Sequence, residues 1–260
     1  MKKKSLTEFD AAALTEIIKG LGRSPGRQPG PVIKQRLFYN EAQFQFALAW
    51  AIQEQYDCEP LLEPLSRVVA KKPKGIKREY TDIVLVEKDG PCIAIELKYK
   101  TAGLEINNGT SLTQQGAPDL AVYDFYHDID RIQNLTGLAE NEEGAKLFFQ
   151  CDRGYAVFLT NDSTYWTESK SKDACIHRDF LIAPSESEGI VRITDVVHDW
   201  NPKKGETDKP KTVKGTFRER PISIKKELTS RWEELYTLSS STAGNPRFRF
   251  LVMEIPPRSK

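Results

Sequence analysis

The chain has 260 residues, enough to bury a full hydrophobic core within one domain. Its 38 basic and 37 acidic residues leave a formal net charge of +1, which excludes binding to nucleic acid through overall charge alone. The four cysteines form no CxxC pair, so neither a zinc site nor a disulfide framework is indicated. The first ten residues lack an apolar signal segment and no run is long enough to span a membrane, so we expect a cytoplasmic protein without a membrane partner.

Two segments precede the part of the chain that carries chemistry. Residues 5–20 have the pattern of a short amphipathic helix, and residues 20–31 form a loop rich in Gly and Pro. The loop rich in Gly and Pro predicts an N-terminal appendage followed by a single domain. The expected division is residues 1–34 for the appendage, 35–260 for the domain, about 36–162 for its core and 163–260 for a C-terminal elaboration.

The first helix of the predicted core spans residues 41–56. Asn40 has the side chain of an N-cap, and apolar residues then recur at helical spacing. Glu41 lies on the same stripe as these apolar residues, so we expect it to look into a site rather than out to water. The apolar residues are Phe44, Leu48 and Ile52.

A predicted strand, residues 64–70, is followed by a basic loop that leads into two apolar runs. The runs, DIVLV and CIAIEL, are joined by a connection that contains KDGP, which predicts a hairpin of strands 79–87 and 92–99. The basic loop could grip phosphates beside a reaction centre, and a solvated charged loop is the equally weighted alternative. Its members are Lys71, Lys72, Lys74, Lys77 and Arg78.

The hairpin carries three charged residues in an apolar context. Asp82 lies on the first strand, and Glu96 and Lys98 lie on the second. Buried charges are costly unless they are paired or bind a metal. Because side chains alternate along a strand, Glu96 and Lys98 share one face. An ordinary hairpin with surface charges is the alternative, and the apolar flanks favour a site.

The register of the hairpin follows from its turn. Pro91 cannot donate to a β-ladder, so the longer loop EKDGP is favoured over a two-residue turn. This loop pairs Val86 with Cys92 and places Asp82 opposite Glu96. Carboxylates on opposite faces of the hairpin would argue against a metal site.

Two carboxylates on neighbouring strands suit Mg²⁺, which takes oxygen ligands and keeps several waters. We expect Mn²⁺ to substitute for it. Such an ion polarises a phosphate oxygen and lowers the pKa of a bound water. Lys98 could orient that water or stabilise charge on phosphorus, and Glu41 could complete the ligands.

The rest of the chain alternates helical and strand patterns, which predicts one α/β sandwich. On the helix that follows the hairpin, Asp128 and Arg131 are interpreted as a surface ion pair and His127 as a surface residue. Trp166 and Trp232 are interpreted as packing residues. The predicted segments are a loop at 103–118, a helix at 119–138, strands at 154–162, 179–183 and 189–197, a loop at 200–220, a helix at 223–238 and a strand at 247–255.

The pattern Asp82…Glu96-Leu97-Lys98 resembles the PD-(D/E)XK nuclease superfamily, which includes many restriction endonucleases. The proline of the family pattern is replaced by Thr81. The resemblance covers roughly residues 36–162 and implies a restriction-endonuclease-like three-layer sandwich, with a mixed central sheet flanked by helices. It also implies that Asp82 and Glu96 are metal ligands, that Lys98 is the catalytic lysine, and that Glu41 is the glutamate near the metal.

The expected function is therefore Mg²⁺-dependent hydrolysis of DNA phosphodiester bonds, of a restriction or phage-defence type. Two alternatives stay open: a nucleic-acid-binding or assembly protein that keeps the fold without catalysis, and a nuclease effector that cuts RNA. Double-strand cutting often requires two copies of a site, so a homodimer is a possible assembly.

Overall fold

A computed structural model of the protein describes most of the chain. Lys71, Lys72 and Lys74 of the basic loop lie outside the described residues, as do parts of the predicted loops at 20–31 and 200–220. The described ranges are 2–23, 37–70, 75–107, 109–139, 144–167, 175–184, 189–202, 210–211, 213–239 and 241–257.

Within these ranges the fold is mixed α/β, with three α-helices and fifteen β-strands. No helix there is long and apolar enough to cross a membrane. The helices are Ala11–Leu21 (α1), Glu41–Gln55 (α2) and Pro118–Leu135 (α3). The strands are Glu59–Leu62 (β1), Leu65–Ala70 (β2), Ile76–Tyr80 (β3), Ile83–Val86 (β4), Cys92–Lys100 (β5), Leu104–Ile106 (β6), Ser111–Leu112 (β7), Ala145–Leu147 (β8), Arg153–Thr160 (β9), Ile190–Ile193 (β10), Val197–His198 (β11), Ile222–Ser223 (β12), Leu228–Thr237 (β13), Ser241–Gly244 (β14) and Arg247–Ile255 (β15).

The main sheet has seven strands in the order β1-β4-β5-β9-β15-β13-β10. Strands β5 and β9 are parallel, and their neighbours pair antiparallel, so the sheet is mixed as predicted. Two three-stranded sheets, β3-β2-β8 and β14-β6-β7, and the pair β11-β12 lie beside it. Because β15 pairs with β9 from residue 154 to residue 160, the C-terminal region completes the main sheet.

Different helices cover the two faces of this sheet. Phe44 and Leu48 of α2 belong to the same buried cluster as Leu97 of β5, together with residues of α1. Phe125 of α3 packs against Phe158 of β9 in a second cluster on the opposite face. The alternation of side chains along β5 therefore sends one set of its residues toward α2 and the other toward α3.

The N-terminal segment packs against the elements of the expected domain. Leu6, Phe9 and Leu14 are fully buried in the cluster that also contains α2 and β5. The Glu87 carboxylate, in the hairpin loop, accepts hydrogen bonds from Ser5 Oγ at 2.9 Å and Leu6 N at 2.8 Å. The segment thus contributes apolar area to the core, although the boundary near residue 34 lies outside the described residues.

Two local predictions are confirmed closely. The predicted helix at 41–56 is α2, and the Asn40 side chain accepts a hydrogen bond from Gln43 N at 2.9 Å, as an N-cap does. The hairpin loop consists of the five residues between Val86 and Cys92, and these two residues pair as predicted.

The predicted strand at 79–87 is divided between two sheets. Strand β3 ends at Tyr80 and pairs with β2, whereas β4 begins at Ile83 and pairs with β1 and β5. Asp82 lies at the crossing between the two sheets. Its carbonyl oxygen accepts hydrogen bonds from Glu63 N at 3.0 Å and Gln45 Nε2 at 2.6 Å, which fix the backbone at this point.

Several predictions outside the hairpin are wrong. The segment predicted as a helix at 223–238 forms β13, because pairing with β15 and β10 outweighs its helical propensity. The predicted strand at 179–183 begins as a 3₁₀ turn, Arg178–Phe180. The predicted strand at 189–197 is divided into β10 and β11, and the predicted loop at 103–118 contains β6 and β7.

Candidate active site

The site forms where β4 stops pairing with β5. The ladder runs from Val86↔Cys92 to Ile83↔Ile95, so continuing its register places Asp82 opposite Glu96. Strand β5 extends beyond Ile95 to Lys100, and among the described strands none pairs with this edge past Ile95. The edge therefore presents backbone N–H groups that need acceptors from elsewhere.

Two carboxylates supply these acceptors. Asp82 Oδ2 accepts a hydrogen bond from Leu97 N at 2.6 Å, and Glu41 Oε2 accepts one from Tyr99 N at 2.7 Å. Both bonds are charge-assisted, and such bonds are shorter and stronger than neutral ones. The N-terminus of α2 and the crossing before β4 thus bring two predicted site residues to the same edge of β5.

Glu96 and Lys98 point toward α3, which supplies two further charged groups. Arg131 Nη2 donates to Glu96 Oε2 at 2.6 Å and to Asp128 Oδ1 at 2.9 Å. Lys98 Nζ lies 2.9 Å from Asp128 Oδ2. The four residues form a chain of alternating charge between the strand and the helix.

The most deeply buried of these charges is also incompletely paired. The side chain of Glu96 has 0% exposure, against 22% for Arg131. One Glu96 oxygen binds Arg131, whereas Oε1 is buried and has no hydrogen-bond partner. A buried carboxylate oxygen without a donor is costly and rare in native structures, so Oε1 is an acceptor that a cation or a hydrogen-bond donor would stabilise.

Electrostatics at the site follow from burial. Burial raises the pKa of Glu41, Asp82 and Glu96, and in each case neighbouring acids raise it further. For Glu96 the rise is large, because Arg131 opposes it only in part. Burial alone would lower the pKa of Lys98, but the carboxylates of Asp128 and Glu41 outweigh this and raise it.

The donors fit a divalent cation in chemistry but do not form a ready ligand set. With all groups ionised, four carboxylates (Glu41, Asp82, Glu96 and Asp128) and two cations (Lys98 and Arg131) leave a charge of −2. Oxygen donors and such a charge suit Mg²⁺. Across the residues that the structure describes, however, no three His, Cys, Asp or Glu side chains are already grouped to hold a metal. Protein donors occupy one oxygen each of Glu41, Asp82 and Glu96.

All four residues predicted for the site, Glu41, Asp82, Glu96 and Lys98, meet around β5. Sequence reasoning misses the place of Asp128 and Arg131 in the site, because their spacing predicts only a surface ion pair. Asp128 is only 3% exposed, because α3 is buried on several sides and turns this stripe toward β5. The spacing of three residues on one helical face was the available signal, but it does not show which face is covered.

Of the five basic-loop residues, only Lys77 and Arg78 can be placed. Lys77 Nζ lies 2.6 Å from Glu79 Oε1, so its charge is already paired, and Arg78 is exposed. Contact with nucleic acid stays a prediction for both residues.

The rings of His127, Trp166 and Trp232 all pack against other aromatic side chains. His127 is 8% exposed rather than on the surface, and burial lowers its pKa well below the usual range. It packs edge-on against Phe217, with ring centroids 5.7 Å apart. The ring centroids of Trp166 and Trp232 are 5.8 Å apart. Trp232 Nε1 also donates a hydrogen bond to Ile182 O at 2.9 Å, as expected of packing residues.

Comparison with known proteins found no family model, no curated protein and no solved structure that matches the chain. The function therefore has to be argued from the site itself.

Proposed function

We propose that the chain is a Mg²⁺-dependent endodeoxyribonuclease with a restriction-endonuclease-like fold of the PD-(D/E)XK type. The observation that carries the proposal is Glu96, a fully buried carboxylate with one oxygen that lacks a donor. It lies beside Asp82 and Lys98, the two residues that complete the motif. Helices on both faces of a mixed sheet are compatible with this fold.

Asp82, Glu96 and Glu41 would hold the ion, with Mn²⁺ as a substitute. When bound, Mg²⁺ supplies Lewis-acid polarisation of a phosphate oxygen and a water of lowered pKa. Each of these residues has an oxygen that is not used by a protein donor: Asp82 and Glu41 each accept one backbone bond, and Glu96 accepts one from Arg131.

Lys98 acts as a fixed positive charge in this proposal. Because its pKa is raised, its ammonium stays protonated at neutral pH, so it serves as a hydrogen-bond donor rather than a general base. The donor can orient the attacking water and stabilise the charge that develops on the phosphate oxygens. Asp128, 2.9 Å away, holds the ammonium in position.

Arg131 positions Glu96. Its guanidinium joins Glu96 to Asp128 and also donates to Tyr80 O at 3.2 Å, which anchors it to the end of β3. The guanidinium thus fixes one oxygen of Glu96 and leaves the other directed into the site.

The test is cleavage of supercoiled plasmid by the purified chain with Mg²⁺, Mn²⁺ or EDTA. Wild type should cut with either ion and not in EDTA, and Glu96→Gln and Lys98→Ala should remove the cutting. Matched controls are Glu105→Gln, an exposed acid on β6, and Lys88→Ala, an exposed lysine at the far end of the hairpin. Equal cutting by all four variants would show that the activity comes from elsewhere.

One observation favours a second candidate, a nucleic-acid-binding or assembly protein without catalysis. The site acids all have protein donors, and the described residues contain no ready metal cluster. DNA binding that persists in EDTA, with no cleavage under any divalent ion, would favour this candidate. Parallel assays on RNA distinguish the DNA-cutting proposal from the RNA-cutting alternative.

A further inference from the structure

Two cysteines that are distant in sequence meet where β5 and β9 begin. Cys92 is the first residue of β5, and Cys151 precedes β9 by two residues. Their Sγ atoms are 3.0 Å apart across a separation of 59 residues, and both thiols are free. The parallel pairing of β5 with β9 creates this contact, which no local spacing in the sequence indicates.

The backbone holds both cysteines in place. Asp152 N donates to Cys92 O at 2.8 Å, and Cys92 N donates to the Asp152 carboxylate, also at 2.8 Å. Cys151 N donates to Leu135 O, at the end of α3, at 2.8 Å. A disulfide has sulfur atoms about 2.05 Å apart, so closing this pair needs a movement of about 1 Å, within reach of small χ rotations.

The two thiols differ in accessibility and acidity. Cys92 is half-buried, whereas Cys151 is 3% exposed. The hydrogen bond between the two thiols lowers the pKa of Cys92, and the same contact together with burial raises the pKa of Cys151. The thiolate is the reactive form of cysteine, so Cys92 is the residue that meets an oxidant first.

We propose that Cys92 and Cys151 form a reversible disulfide when the protein meets a peroxide. The Cys92 thiolate attacks one oxygen of hydrogen peroxide, the O–O bond breaks, and Cys92 becomes a sulfenic acid while hydroxide leaves. The Cys151 thiol then attacks that sulfur, the S–O bond breaks and water leaves. The two thiols lose two electrons and two protons in total, and the peroxide becomes two waters.

The disulfide would stabilise the strands that carry the candidate active site. Cys92 lies on the same face of β5 as Ala94, which clusters with Cys151 and with Leu135 of α3. A crosslink at this end therefore ties β5 to β9 beside the end of the helix that supplies Asp128 and Arg131. This crosslink does not depend on the proposed cleavage of DNA.

The test uses the full chain, first reduced and then treated with hydrogen peroxide. We expect the intact mass to fall by two hydrogens, alkylatable thiols to fall from four to two, and a reducing agent to restore both. Peptide mapping should join Cys92 to Cys151. A Cys58→Ser/Cys175→Ser double variant should behave like wild type, since it keeps the pair.

Variants of the pair separate the two roles. Cys151→Ser should lose no hydrogens and should instead retain a sulfenic acid at Cys92 that a diketone reagent captures, whereas Cys92→Ser should give neither product. Oxidation should raise the Tm of the double variant by about 5–10 °C, because the crosslink closes a long loop. Four thiols still alkylatable after oxidation, a bond mapped to Cys58 or Cys175, or an unchanged Tm would overturn the proposal.

Discussion

Two buried glutamates on nearby strands, Glu79 and Glu96, show what separates a structural ion pair from the candidate active site. Both lie against an arginine: Arg67 Nη1 is 3.1 Å from Glu79, and Arg131 Nη2 is 2.6 Å from Glu96. Burial alone would raise the pKa of Glu79, but Lys77 and Arg67 outweigh it and lower the pKa. Burial raises the pKa of Glu96, and nearby acids add to the rise.

The difference lies in the number of donors each carboxylate receives. Both oxygens of Glu79 have a cationic partner, Lys77 on one and Arg67 on the other. Glu96 has Arg131 on one oxygen and nothing on the other. A carboxylate with a cationic partner on each oxygen stabilises the fold in its charged form. A carboxylate with one partner keeps an oxygen that can accept a further cation.

The largest expected effect is on catalysis. Glu96→Gln should lower the rate of Mg²⁺-dependent plasmid cleavage by about 10³-fold or more, because it removes a proposed metal ligand and a charge from the site. Glu79→Gln should leave the rate per folded molecule within about threefold, since its partners belong to a different sheet. Initial rates of nicking, normalised to the folded fraction from circular dichroism, measure both. Similar losses in the two variants would erase the comparison.

The next effect is on the free energy of unfolding, for which Glu79 should matter more than Glu96. Glu79→Ala should reduce the free energy of unfolding by about 3 kcal/mol, because it leaves Arg67 buried beside an empty position. Glu96→Gln in EDTA should change stability little or increase it, because it removes a half-paired buried charge. Urea unfolding of both variants measures the difference. A larger loss for Glu96→Gln would assign Glu96 to the structure rather than to the site.

The third effect, which is smaller, is the stabilisation of the fold by Mg²⁺. It should depend on Glu96 and not on Glu79. Mg²⁺ at about 100 times its Kd should stabilise wild type by about 2.7 kcal/mol, through binding to the folded state alone. Asp82→Asn and Glu96→Gln should lose this stabilisation, and Glu79→Gln should keep it. Thermal melts across a Mg²⁺ titration, with NaCl at matched ionic strength as the control, give the measurement. Equal stabilisation of every variant would place the ion elsewhere.

The smallest effect is on the pH dependence of stability in EDTA. The folded pKa of Glu96 lies above its unfolded value of about 4.3, so the folded state binds the proton first and stability rises as pH falls from 7 toward 5. The folded pKa of Glu79 lies below that value, so its contribution is present above about pH 4.3 and is lost at lower pH.

Comparing Tm values tests both directions. From pH 7 to pH 5, the Tm of wild type should increase relative to that of Glu96→Gln. Below about pH 4, the advantage of wild type over Glu79→Gln should shrink. Parallel Tm profiles for wild type and Glu96→Gln would contradict the raised pKa.

How much the sequence predicts depends on how local the cause is. Asp82, Glu96 and Lys98 lie within one hairpin, whose register follows from Pro91 and the period of a strand, so their placement could be predicted. Glu41 could be predicted as well, because an N-cap and an apolar stripe define its helix.

Features that depend on distant partners could not be predicted. The strand β13 forms because β15 and β10 pair with it, although its own sequence was predicted to be a helix. Asp128 is buried and Arg131 is partly buried because α3 meets β5, and the spacing of charges along a helix does not show what covers them. The contact between Cys92 and Cys151 likewise needs the pairing of β5 with β9.

The unpaired edge of β5 has a consequence for how the protein behaves in solution. Without Asp82 and Glu41, the N–H groups of Leu97 and Tyr99 would form a template on which a strand from another molecule could add. We therefore expect the two acids to block such strand addition. Alanine at either position should increase light scattering on warming, whereas Asn and Gln, which retain an acceptor oxygen, should not. For this reason, an inactive variant for crystallisation is better made by substituting Glu96 than by replacing Asp82 or Glu41 with alanine.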